Sequence, residues 1–270
     1  MAATDPQAAP SMTSQVSHRP PVTALYATDT KKNVRLLWHQ EPCPRFYGSW
    51  MEAAMKGRRL LMLDEYKETY EFSSPRLSFR FLPIPGAEWV GTCKVGCAKT
   101  GYEAQVHFKA KSLFGLGGGT NRVEGRIKSI SSKKTLYEID GYWDSAVTIK
   151  DMSTGKKKMF YEVKGSMAEL RMPQLVNPQD VARTESVLVW GKVTRALLKG
   201  DWAKASRAKK VVEDNQRMER KLREKEGKTW QAKFFQKLDN GDWVWRYPDQ
   251  PVLPAPIQVP LPTHGPYIVS

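Results

Sequence analysis

Tyr102-Glu103-Ala104-Gln105-Val106-His107-Phe108-Lys109-Ala110-Lys111 (residues 102–111) alternates at every step. Tyr102, Ala104, Val106, Phe108 and Ala110 share one face, while Glu103, Gln105, His107, Lys109 and Lys111 share the other. A period of two marks a strand with one apolar and one wet side. Strand-like text continues on either side at short spacing. Upstream, residues 22–26, 34–38, 59–63, 68–72 and 77–81 are apolar-rich or alternating. Downstream come 123–127, 135–139, 142–149 and 158–163, with Asp140-Gly141 and Ser153-Thr154-Gly155 as turns. So many short antiparallel strands predict a mainly β fold, a large sheet that curls toward a barrel. The apolar faces of such a sheet line a cavity as well as a core.

From Asp180 the period becomes helical. Residues 185–199 read as a short helix stopped by Gly200, and Asp201 as the N-cap of a second helix over 202–226 that ends at Gly227. Trp202, Ala205, Ala208, Val212, Met218 and Leu222 form an imperfect stripe, enough to dock that helix on a sheet. An aromatic closing segment follows through Trp230, Phe234-Phe235 and Trp243-Val244-Trp245. The expected layout is a loose tail over 1–13 and a folded part over 14–247. Within the latter, strands occupy 14–179, helices 180–227 and the closing segment 228–247. A proline-rich tail takes 248–270.

A chain of 270 residues can bury a core as one or two domains. Its apolar runs are too short to span a bilayer, and the start lacks a signal-peptide layout. Cys43, Cys93 and Cys97 are an odd, sparse set without a common zinc spacing, which suits a reducing cytosolic compartment. The net charge of +15 points to an anionic partner. Nucleic acid and an anionic membrane leaflet both satisfy it, and charge alone does not separate them.

Two constellations suit a phosphate. In Gln15-Val16-Ser17-His18-Arg19-Pro20-Pro21-Val22-Thr23, two prolines stiffen the backbone beside an imidazole and a guanidinium. Arg offers a planar fork of donors and His adds another. Neighbours on an extended chain point apart, so a bent backbone is needed for both to serve one anion. The plain alternative is a turn entering a sheet with Arg19 solvated. Lys209, Glu213 and Arg217 stand four apart and stack as one stripe on the long helix. They are either a solvated ion-pair ladder or two cations that Glu213 orients toward a phosphate.

The first stretch resembles the signature Glu-Gln-Val-Ser-His-His-Pro-Pro of the oxysterol-binding-protein-related lipid-transfer family. Ser14 stands where the family has Glu, and Arg19 replaces the second His, keeping a phosphate donor with a permanent charge. Lys209 to Arg217 resembles the family's Lys-Glu-Gln-Arg helix, and Glu185-Ser186-Val187-Leu188-Val189-Trp190-Gly191 its Glu-Ser-x-x-x-Trp helix. Lys99-Thr100-Gly101-Tyr102, the run from Tyr137 to Trp143, and Gly227-Lys228-Thr229-Trp230 with Phe234-Phe235 also match in order. The likeness is closest to short plant members. It implies a barrel-like tunnel holding one lipid, and exchange of a sterol or phosphatidylserine against phosphatidylinositol 4-phosphate at membrane contacts. His18, Arg19, Lys209 and Arg217 would meet the 4-phosphate, with Glu213 holding the helix cations in place. The implied setting is the cytoplasm, peripheral to anionic intracellular membranes, with no cofactor and no enzyme chemistry. Family members carry a lid, opening strands and an Asn-Pro segment before the His motif. The expectation is therefore a partial domain whose barrel is open along an edge.

Other motifs carry less. Gly115-Leu116-Gly117-Gly118-Gly119 has no following Gly-Lys-Ser/Thr and reads as a hairpin. His39, His107 and His264 form no metal spacing, Ser17 beside His18 lacks a third partner, and Lys156-Lys157-Lys158 reads as a solvated turn. Two rival functions stand: a nucleic-acid-binding barrel, and a non-transferring relative that binds membranes or partners. The aromatics do not cluster with Lys and Arg in a nucleic-acid module, so no nucleic-acid partner is expected.

Overall fold

The computed structural model describes residues 10–29, 31–82, 85–110, 120–168, 175–176, 185–247, 252 and 258–259. Thirteen strands form one sheet. They are β1 (Ser11–His18), β2 (Pro21–Asp29), β3 (Val34–Phe46), β4 (Trp50–Lys56), β5 (Arg59–Leu63), β6 (Glu68–Phe72) and β7 (Arg76–Arg80), then β8 (Gly86–Cys97), β9 (Tyr102–Phe108), β10 (Arg122–Ser129), β11 (Thr135–Tyr142), β12 (Ala146–Asp151) and β13 (Lys157–Glu162). The chain then adds α1 (Val163–Ala168), β14 (Leu175–Val176), α2 (Ser186–Val189), α3 (Gly191–Leu198), α4 (Trp202–Lys225), β15 (Phe235–Lys237), β16 (Trp243–Trp245) and β17 (Gln258–Val259). It divides into two compact units: residues 8–170 with 232–252, and residues 1–7 with 171–231 and 253–270.

In the first unit every strand pair of the sheet among the described residues is antiparallel. β5 and β4 follow one another along β3 in one register, Trp38 opposite Arg59 and Glu41 opposite Lys56. They act as a single long strand interrupted at Gly57-Arg58. β6 and β7 likewise run in succession along β8. The sheet is thus a plain meander from β1 to β13, and no strand pair among the described residues joins those two edges.

The alternation of β9 extends across its neighbours. Val95, Ala104, Ile127 and Tyr137 stand in line across β8 to β11, as do Cys93, Val106, Gly125, Ile139 and Ile149 across β8 to β12. The opposite face is an ion-pair ladder, with Lys109–Glu124 at 2.9 Å, Arg122–Asp140 at 3.1 Å and Arg126–Glu138 at 3.7 Å. Lys109 and Arg122 hold the Glu124 carboxyl below the usual carboxylate range, the hydrogen bond from Lys109 being the larger cause.

The tightest core lies at the start of the sheet. Val22, Ala24 and Tyr26 point from β2 onto the closing segment, where Phe235 is fully buried with Val16, Ala232 and Val252 around it. Trp245 stacks on Tyr26 at 4.9 Å and meets Phe235 edge-on at 5.5 Å. Arg246 donates to the carbonyls of Ala232 and Phe235, at 2.9 and 3.2 Å, which satisfies backbone acceptors of that segment.

Beside this core His39 is buried. Its Nδ1 accepts from the Trp243 amide at 3.4 Å, and its Nε2 lies 3.6 Å from Asp242. Burial lowers the pKa of His39; Asp242 pulls it back up, but Arg59 and Arg58 add to the lowering. The unfolded chain therefore takes up this proton first as pH falls. Stability held above about pH 6.5 is lost as pH falls through the folded value, and the loss levels off below it. A melting-temperature series from pH 7.5 to about pH 5 should show this decline. His39→Gln should flatten that part of the curve.

Several local expectations are corrected. Residues 11–13 belong to β1 and not to a loose tail, because their backbone pairs with 25–27 of β2. Asp140-Gly141 lies inside β11, and the bend comes at Trp143 to Ser145, where the Ser145 amide bonds the Tyr142 carbonyl. The helix expected over 185–199 is two, with Trp190 between α2 and α3. β4 and the first half of β8 were not foreseen. Of the α4 stripe only Ala205 is buried, while Trp202, Met218 and Leu222 are exposed. The glycine run 115–119, His264 and most of the proline-rich end lie outside the described residues.

Candidate functional site

His18 ends β1 opposite Pro21, and Arg19 with Pro20 makes the turn into β2 through a cis peptide bond. Both side chains are exposed. Upstream, the register slips between Gln15 and Ser17, a bulge that leaves Val16 in the core while the ladder resumes. Arg19 lies off that ladder, so the alternation that would send it away from His18 does not govern it.

Lys209, Glu213 and Arg217 lie on α4 in the other unit, the two cations exposed and Glu213 half-buried. Asp201 caps this helix as foreseen, accepting from the Lys204 amide at 2.9 Å. Glu213 reaches Lys209 at 3.2 Å, but Arg217 turns to Asp214 at 2.6 Å. The expectation that Glu213 holds both cations is met for the lysine, and Asp214 holds the arginine. Arg220–Glu224 and Arg223–Glu219 continue the pairing toward the helix end, so the stripe is also an ordinary exposed ladder.

A basic cleft of about 480 Å³ between α3 and α4 escaped the sequence reading. Lys192 and Arg195 line it from α3, Lys199 from the cap that follows, and Lys204 and Arg207 from α4, with Asp201 the one acid among them. Their spacings of three and four were the available signal, hidden because basic residues are common throughout this chain. The arrangement attracts anions; among the described residues no group of His, Cys, Asp and Glu is placed to hold a metal.

The family model for the oxysterol-binding protein matches residues 3–253. The chain belongs to the oxysterol-binding protein family. Among its relatives is oxysterol-binding protein-related protein 4C of Arabidopsis thaliana, 40% identical over 251 residues, covering 92% of this chain and 66% of that protein. The chain thus spans just under two thirds of that relative. In fold it is similar to the Osh1 ORD domain crystallised with ergosterol, at a TM-score of 0.74 and 20% identity, over 90% of this chain and 65% of that one. It is also similar to the Osh3 ORD of Saccharomyces cerevisiae crystallised with PI(4)P, at 0.66 and 20%, over 87% and 63%. The large antiparallel sheet followed by helices is therefore the family's fold. No described helix is long and apolar enough to cross a membrane.

Proposed function

We propose that this chain carries a sterol or a phospholipid such as phosphatidylserine, and exchanges it for phosphatidylinositol 4-phosphate between membranes. The observation that carries the reading is the apolar face of β8 to β12. Val106, Phe108, Ile127, Tyr137 and Ile139 share an apolar face yet are only half-buried. A face that served only as a protein core would bury them; this one keeps contact area for a rigid sterol or an acyl chain. The family supports it, and so do the ligands named for the Osh1 and Osh3 domains, one a sterol and one a phosphoinositide.

His18 and Arg19, with Lys209 and Arg217, bind the 4-phosphate through charge-assisted hydrogen bonds, and Glu213 positions Lys209. Binding is reversible, no bond is made or broken, and no cofactor is called for. The carrier works in the cytoplasm, in peripheral contact with anionic membranes where two of them approach.

Extraction from liposomes tests this directly. The full chain should withdraw both phosphatidylinositol 4-phosphate and a fluorescent sterol. Lys209→Glu should lose about tenfold or more of the phosphoinositide extraction, since a charge-assisted bond becomes a repulsion. Its sterol extraction and melting temperature should be unchanged, because Lys209 is exposed. Equal phosphoinositide extraction by both proteins would overturn the phosphate assignment, and failure on both lipids would overturn the carrier reading.

A further inference from the structure

The far end of the β3–β4 hairpin carries exposed aromatic residues. Tyr47-Gly48-Ser49-Trp50 is a tight turn closed by the Tyr47 amide on the Trp50 carbonyl at 2.9 Å, with Gly48 at a φ of +84° that suits glycine in the first central position. β2 accompanies β3 only as far as Gln40, and β9 accompanies β8 only from Gly91 onward. Among the described residues, the second half of β3 with β4, β7 and the first half of β8 therefore extends past the pairing with β2 and β9. The length from Glu41 to Phe46 is roughly 15 Å.

This flap ends in aromatic residues on both faces. Phe46, Met51 and Phe79 are in line across β3, β4 and β7, and Phe81, two residues on, brings its ring to 6.3 Å from Phe46. Trp50 lies on the opposite face with Tyr47 stacked on it at 5.0 Å. Phe46 is 70% exposed, Leu82 66%, Phe81 46%, Tyr47 45% and Trp50 40%. A tip that only lined an internal cavity would be apolar on one face and polar on the other. Here the face that carries Arg80, opposite Trp50, also carries the exposed rings of Trp50 and Tyr47.

We propose that this tip inserts as a wedge into the headgroup boundary of an anionic bilayer; the inference rests on the carrier reading above and supplies its membrane contact. Trp and Tyr favour that depth because each joins an apolar ring to one polar group. Charge agrees. Arg45, next to Phe46, is exposed, and the nearby acids are neutralised, Glu52 by Arg76 at 3.0 Å and Glu88 by Arg80 at 3.6 Å. The chain as a whole carries +15. Among the described residues no strand pairs with 42–46 on the side away from β4, but Pro42 and Pro44 remove amide donors along that edge, which disfavours strand addition by a protein partner.

The test is flotation of the full chain with vesicles of phosphatidylcholine mixed with phosphatidylserine, comparing wild type, Phe46→Ser/Trp50→Ser and Phe46→Leu/Trp50→Leu. The serine pair should bind vesicles at least about tenfold more weakly, since two apolar anchors are lost, and the leucine pair should stay within a few-fold of wild type. Brominated phosphatidylcholine should quench wild-type tryptophan fluorescence more than that of Trp50→Phe. Binding of a short-chain, water-soluble phosphatidylinositol 4-phosphate without vesicles should be equal in all of them. Loss of that soluble binding in wild type would count against the carrier reading and leave tip-dependent flotation as support for the wedge. Equal flotation by wild type and the serine pair would overturn the wedge. So would a wild-type dimer that the serine pair abolishes, without vesicle binding, because the tip would then serve a second copy.

Discussion

Phe235→Ala will destabilise the protein by about 3–5 kcal/mol, the cost of emptying a well-packed aromatic site. Phe235 is the largest fully buried side chain among the described residues, and it is where the closing segment meets the β1–β2 hairpin. The surrounding groups cannot close the gap easily. Trp245 is already held by Tyr26 on one side and stacked on Phe234, at 6.1 Å, on another. Val16 is fixed by the bulge in β1. Denaturant unfolding of the full chain should show the midpoint fall. Phe46→Ala, at the exposed tip, should stay within about 0.5 kcal/mol and serves as the control. Comparable losses at both positions would mean that Phe235 does not anchor the core.

Gly57→Ala should cost about 3 kcal/mol or more, with strain and overpacking acting together. Gly57 has a φ of +119° and sits where β4 passes into β5. A Cβ there would lie 2.1 Å from the carbonyl oxygen of His39 and 3.0 Å from its ring. The first contact is with backbone, so no rotamer relieves it. His39 is held in turn through its amide to the Arg58 carbonyl at 3.0 Å, and through Nδ1 to Trp243. Relief would have to shift β3 or the closing segment. Thermal unfolding of Gly57→Ala beside Gly155→Ala would isolate that contact. Gly155 also has a positive φ, +72°, but nothing stands within 4 Å of its would-be Cβ. Equal losses would assign the whole effect to φ.

Where the residue pattern was strong, the sequence was enough. Tyr102 to Phe108 alternates without interruption and is β9, and residues 59–63 and 68–72 are β5 and β6 to the residue. Asp201 and Gly227 bracket α4 because a side-chain acceptor and a residue free to take a φ of +65° are local requirements. The strands that were missed lack such local marks. Trp50-Met51-Glu52-Ala53-Ala54-Met55-Lys56 has the small and unbranched residues of a helix, and it is a strand because β3 and β7 pair with it on either side. Gly86, Gly91 and Gly96 break up the text of β8, yet the strand is long because three others, β6, β7 and β9, pair along its length.

The family, the strand-rich class and the principal helix with its cap were legible in the residue order, since all of these are written in residue types at short spacing. Which partner each charge takes was not legible there. Spacing on the helix permits Glu213 to serve Lys209 and Arg217 equally, and rotamer geometry gives Arg217 to Asp214. The fold also brings Phe46, Tyr47, Trp50 and Phe81, separate along the chain, together at one wet tip. That depends on the register of β3, β4 and β7, and register is a long-range property that residue order states only through the pairing it produces.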